Sequence, residues 1–90
     1  MRAVITVIGK DRVGIIAEIS NILANSNVNI LDISQTIMQD DVFTMIMLTN
    51  LSDSKVSFEA LSDALEGVGK GLGLYVKIQH EDIFNSMHKI

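Results

Sequence analysis

The chain contains no cysteine, no proline and no tryptophan among its 90 residues. The missing cysteines exclude a disulfide framework and all thiolate chemistry, including zinc fingers and CxxC metal or redox sites. They also point to the cytoplasm as the natural compartment. No stretch approaches the roughly 18–20 apolar residues that a membrane span requires, so a soluble protein with no membrane partner is expected. The segment from Met1 to Ile8 carries one positive charge and a short apolar run, but Lys10, Asp11 and Arg12 interrupt it too early for a secretory signal. Basic residues are few and scattered, 7 against 11 acidic ones for a net charge of −4, which argues against nucleic acid.

What the chain has in quantity is apolar side chain, 48% of its residues. Two domains would leave each half too small to bury a core, so a single domain is expected. A chain of this size buries roughly 60–65% of its unfolded surface, which leaves stability marginal unless a partner adds burial.

The apolar pattern changes period in an orderly way. Ala3 to Ile8 is apolar on both faces and reads as a buried strand. Ile15, Ile16, Ile19, Ile22 and Leu23 then recur at helical spacing, and Asn25-Ser26-Asn27 supplies the helix stop. From Val28 to Met38, Leu31, Ile33 and Ile37 alternate with Asp32, Ser34 and Thr36, which predicts a strand with one wet face. Gln39-Asp40-Asp41 is the turn into a third strand, Val42 to Leu48, again apolar on both faces. Ser52, Asp53 and Ser54 offer N-caps for a second helix bearing Phe58, Leu61, Leu65, Val68 and Leu72. Gly67, Gly69, Gly71 and Gly73 are expected to fray it before a fourth strand from Leu74 to Gln79. The tail from Glu81 to Ile90 carries Ile83, Met87 and Ile90 on one stripe and is too short to be a stable helix alone, so it must dock.

This order, βαββαβ plus a short C-terminal helix, predicts an α+β ferredoxin-like sandwich. The antiparallel sheet takes the order 4-1-3-2 with two helices on one face. The two strands that are apolar on both faces then occupy its centre. Residues 1–80 form the domain, and 81–90 are an extension that packs on it or on a partner.

The loop Gly9-Lys10-Asp11-Arg12-Val13-Gly14 joins the first strand to the first helix, where free backbone N–H groups converge. Asp11 is a candidate helix cap or a receptor for a ligand ammonium group. Gly14 removes a Cβ where a ligand or a neighbouring chain approaches, or serves only as a packing glycine.

Asp11-Arg12-Val13-Gly14-Ile15-Ile16, followed by a helix and then Val28-Asn29-Ile30, resembles the signature of ACT domains, small βαββαβ modules that bind amino acids and regulate metabolic enzymes. The resemblance spans residues 1–80. With Glu81-Asp82-Ile83-Phe84-Asn85-Ser86-Met87-His88, the chain is similar to small stand-alone prokaryotic ACT proteins related to the glycine-cleavage regulator type. It implies a ligand held between two domains by the first loop and by the start of the second strand across the interface. Carried over by position, it nominates Asp11, Arg12, Val13 and Gly14 in the loop and Asn29 and Ile30 on the strand. Backbone N–H groups would receive a carboxylate, and Asp11 and the Asn29 amide an ammonium group. ACT loops often have proline where this chain has Val13, which makes the loop less pre-organised.

Other chemistries fit these positions less well. Acylphosphatases share the fold class and hold phosphate in an arginine-bearing loop, but Asp11 between Lys10 and Arg12 would oppose it. RNA-recognition domains display aromatics on strands one and three, and here only Phe43 is available. His80, Glu81 and Asp82, or the Asp40-Asp41 turn, read as solvated polar residues rather than metal ligands. The glycine series closes a helix, whereas phosphate-binding glycines open one. Met38, Met45 and Met47 suit a core or a subunit contact. The expectation is a non-enzymatic regulatory homodimer that binds a small amino acid without a cofactor or metal. A ligand-free module for a regulated protein partner is the alternative.

Overall fold

The computed structural model describes residues 1–87. His88, Lys89 and Ile90, which the sequence places at the end of the tail helix, lie outside the described residues. The elements run β1 (Arg2–Lys10), α1 (Ile15–Asn25), β2 (Asn29–Met38), β3 (Val42–Asn50), α2 (Phe58–Leu72), β4 (Leu74–His80) and α3 (Glu81–Met87). A 3-10 turn, Gln39–Asp41, closes the β2–β3 hairpin. The antiparallel sheet has the order β2-β3-β1-β4, the expected ferredoxin-like arrangement read from its other edge.

One face of the sheet is buried over β1, β3 and β4. Ile5 and Val7 of β1, Met45 and Met47 of β3, and Val76 and Ile78 of β4 form one cluster with Ile19 and Leu23 of α1 and Leu61 and Leu65 of α2. The hydroxyl of Thr49, buried in this layer, donates to the Ala3 carbonyl at 2.9 Å, so its polar atom is satisfied. α1 ends as its asparagines predict. Asn27 is left-handed at φ 60°, and the Ser26 and Val28 N–H groups bond back to Ile22 and Leu23.

Three local features differ from expectation. α2 is capped by Ser57, whose Oγ accepts from the Ala60 N–H at 3.1 Å, and not by residues 52–54. The glycines do not fray α2; it continues through Gly67, Gly69 and Gly71 to a left-handed cap at Gly73. β2 is exposed on both faces over nearly its whole length, including Ile33 (41%) and Ile37 (53%). A bulge between Ile30 and Asp32 shifts its register, and the helices leave the face carrying Ile33 and Ile37 uncovered.

α3 turns back over the far face of the sheet, touching β1 and β4. Phe84 there closes one side of a cleft of ≈310 Å³ lined also by Ile8, Ile46 and Tyr75. Arg2 and Glu81 pair at 3.0 Å at its start.

Candidate functional site

α1 begins at Gly14, which is left-handed at φ 96°, and no side chain caps the helix. Asp11 is therefore not its cap. A Cβ at Gly14 would meet nothing within 4 Å, so the glycine is required by backbone conformation and not by packing. The first helical bond runs from the Glu18 N–H to the Gly14 carbonyl at 3.0 Å, which leaves the N–H groups of the preceding turn to external acceptors.

Beside this helix start, Lys10, Asp11 and Arg12 line a cleft of ≈430 Å³ that Leu72 closes from the end of α2. The loop is anchored: the Asp11 N–H donates to the Asp41 carbonyl at 2.7 Å and ties it to the β2–β3 turn. The side chains of Asp11 and Arg12 are exposed, and Val13 at the loop tip is 96% exposed. The arrangement offers anion receptors in Lys10, Arg12 and backbone N–H groups, and one cation receptor in Asp11.

Asn29 and Ile30 are not part of this cleft. Asn29 pairs with Asn50, at the end of the sheet opposite to Lys10 and Val42. The eight steps of β3 between those ends span roughly 27 Å. Asn29 lines a separate hollow of ≈270 Å³ with Ala24, Asn27, Asn50 and Asp53. One chain thus brings together Asp11, Arg12, Val13 and Gly14, and leaves Asn29 and Ile30 at the opposite end. Lys10 and Leu72 are the additions of the fold; Leu72 reaches the loop because α2 runs on through its glycines.

The other candidates have structural roles. Phe43 is buried and unavailable for base stacking. His80 stacks on Phe58 with ring centroids 4.3 Å apart. Among the described residues no group of three His, Asp or Glu could hold a metal ion. None of their helices is long and apolar enough to cross a membrane. Met45 and Met47 are core residues, whereas Met38 is exposed.

A family model described as an ACT domain matches residues 2–79. The chain belongs to the ACT domain family. A UPF0237 protein of Clostridium acetobutylicum is 62% identical to this ACT protein over 90 residues, covering 100% of both chains. A UPF0237 protein of Methanocaldococcus jannaschii is 57% identical over 89 residues, 99% of this chain and 98% of its own. Among solved structures, an ACT domain protein from Streptococcus pneumoniae is similar with a TM-score of 0.79 and 43% identity over 93% of each chain. The sheet order described above is thus that of an ACT domain.

Proposed function

We propose that this ACT protein is a cytoplasmic, non-enzymatic regulatory domain that binds a small amino acid and acts as a homodimer. Residues 1–80 are the binding unit and 81–90 its extension. The observation that carries the reading is the uncapped start of α1 beside the cleft of Lys10, Asp11 and Arg12. A free amino acid is a zwitterion, and this corner offers both halves of a receptor for one. Its carboxylate is matched by backbone N–H groups and the Arg12 guanidinium, its ammonium by the Asp11 carboxylate. Val13 and Gly14 shape the loop, and Asn29 with Ile30 closes the site from a second subunit.

A ligand that bridges two subunits stabilises the dimer, which makes the site a switch. Thermal unfolding of ligand-free protein with each of the twenty amino acids tests this. A matching amino acid at a hundredfold excess over its dissociation constant stabilises by about 2.7 kcal/mol. Asp11→Ala should abolish the response. Absence of a shift with all twenty at millimolar concentration overturns the reading.

One observation favours a second reading. Val13 projects an apolar side chain almost wholly into water, as a contact residue for another protein would. A ligand-free module for a regulated partner predicts capture of that partner unaffected by Asp11→Ala and Asn29→Ala. The acylphosphatase-like alternative predicts hydrolysis of an acyl phosphate that is lost on Arg12→Ala.

A further inference from the structure

The face of the sheet turned away from α1 and α2 takes no part in the site proposed above, yet it holds a cleft of ≈310 Å³. Side chains alternate along a strand, so the pairing register arranges the floor of this cleft. Thr6 stands between Lys77 of β4 and Ile46 of β3 in one cross-strand row. Ile8 stands between Tyr75 and Thr44 in the next. Thr6 is the shortest side chain of its row and makes the low point. Towards α3 the face is closed, with Val4 buried and Phe84 forming a wall. Away from α3 it is open, and Ile8, Ile46 and Tyr75 are exposed.

The lining decides what fits. Tyr75, Phe84 and the two isoleucines offer ring stacking and apolar contact to a flat molecule. Lys77 is exposed at the rim, and among the described residues it forms no ion pair. Its ammonium group is therefore open to a carboxylate. The Thr44 hydroxyl already donates to the Met38 sulfur at 3.6 Å, whereas that of Thr6 is left to donate into the cleft. Among the described residues no Asp or Glu lines the cleft, so a ligand ammonium group would find no counter-charge and would be repelled by Lys77. The volume lies at the low end of the roughly 300–1,000 Å³ of ligand pockets, which suits a single ring with a short acid chain.

We propose that this cleft is a second binding site, for an aromatic carboxylic acid that lacks an amino group. The loop from Lys10 to Arg12 offers Asp11 to an ammonium group, and this cleft offers it nothing. The two sites thus separate an amino acid from its deaminated counterpart. A second copy laid sheet to sheet is the competing occupant. It would meet α3 lying across one side of the face and would have to bury Lys77 unpaired, which a small carboxylate avoids. The far-face site shares no residue with the loop and does not depend on the amino-acid reading.

Tyr75 is the sole tyrosine and the chain has no tryptophan, so tyrosine fluorescence reports this cleft alone. The probe is phenylpropionate, which is phenylalanine without its ammonium group. At millimolar concentration it should change Tyr75 emission saturably, and phenylalanine should bind about tenfold more weakly or worse. Hexanoate, which keeps the charge and lacks the ring, should also bind more weakly. Lys77→Gln should weaken phenylpropionate about tenfold and narrow its lead over phenylalanine. Thr6→Leu fills the low point of the floor and should abolish the response while keeping the native circular dichroism. Asp11→Ala should leave the response unchanged. Unaltered Tyr75 emission, phenylalanine or hexanoate binding as tightly as phenylpropionate, or a full response in Lys77→Gln would overturn the site. So would an Ile46→Lys variant that splits a dimer into monomers, because the face would then belong to a second copy. Failure of all twenty amino acids to stabilise the protein, with phenylpropionate still bound, sinks the loop reading alone.

Discussion

Gly67, Gly69 and Gly71 occupy one helix, yet their surroundings differ. A Cβ on Gly69 would stand 2.8 Å from Val76 Cγ2 and 2.9 Å from the Leu74 carbonyl oxygen, whereas at Gly67 and Gly71 it meets open space. Gly69→Ala should therefore cost about 1–3 kcal/mol through overpacking against β4. Gly67→Ala and Gly71→Ala should each stabilise by about 0.5–1 kcal/mol, because alanine restricts the unfolded chain and favours the helix. Urea titration of the three variants separates the cases, and equal effects at all three would contradict the packing account. Gly14 differs again, being left-handed in open space. Gly14→Ala should lose about 1–2 kcal/mol from backbone conformation alone, and Gly14→Asn less, as the urea midpoints will show. These roles could not be read from the spacing of the glycines, since a Cβ clash depends on a strand that follows in sequence but packs across the helix.

At the scale of elements, the alternation of apolar and polar residues located every strand and helix, with strand ends within two residues and the cap of α2 three to five residues out. Local hydrogen bonding decided those ends. Ser57 caps α2 because its Oγ reaches the Ala60 N–H, whereas Ser52 accepts from the chain's amino terminus and Ser54 bonds within its own turn. Ser57→Ala should cost about 1 kcal/mol in urea denaturation, and Ser54→Ala less. β2 shows where periodicity misleads. Its alternation predicts one buried face, but a face is buried only if another element covers it. α3 is held partly by the Arg2–Glu81 pair, in which Arg2 is half-exposed and Glu81 partly exposed to solvent. Arg2→Ala should therefore change stability by only about 0.2–1 kcal/mol, and by less as salt is added.

For the whole molecule, charge and shape bear on association. Each chain carries a net −4, so two chains repel as they approach. Dimerisation should accordingly strengthen as salt rises from low to physiological concentration, because screening removes the repulsion while apolar contacts are retained. Sedimentation at two ionic strengths checks this, and weaker association in salt would point to an interface built on opposite charges. The opposite placement of Asp11 and Asn29 is likewise a property of the whole fold. Two antiparallel pairings, β1 with β3 and β3 with β2, make β1 and β2 parallel, so the start of β2 lies at the end of the sheet remote from the end of β1.

The sequence alone determined the elements, their order in the sheet and the chemical capacity of the loop from Lys10 to Gly14. Those properties are local: period two or period 3.6 tells which face of its own element a residue takes, and a glycine before a helix tells where N–H groups are left over. The tertiary structure alone decided that Ile33 and Ile37 stay uncovered, that Gly69 abuts Val76, and that the two halves of the site are separated by the length of a strand. Those are relations between elements, set by pairing register and by which neighbours reach a given edge, and periodicity along the chain carries no record of either.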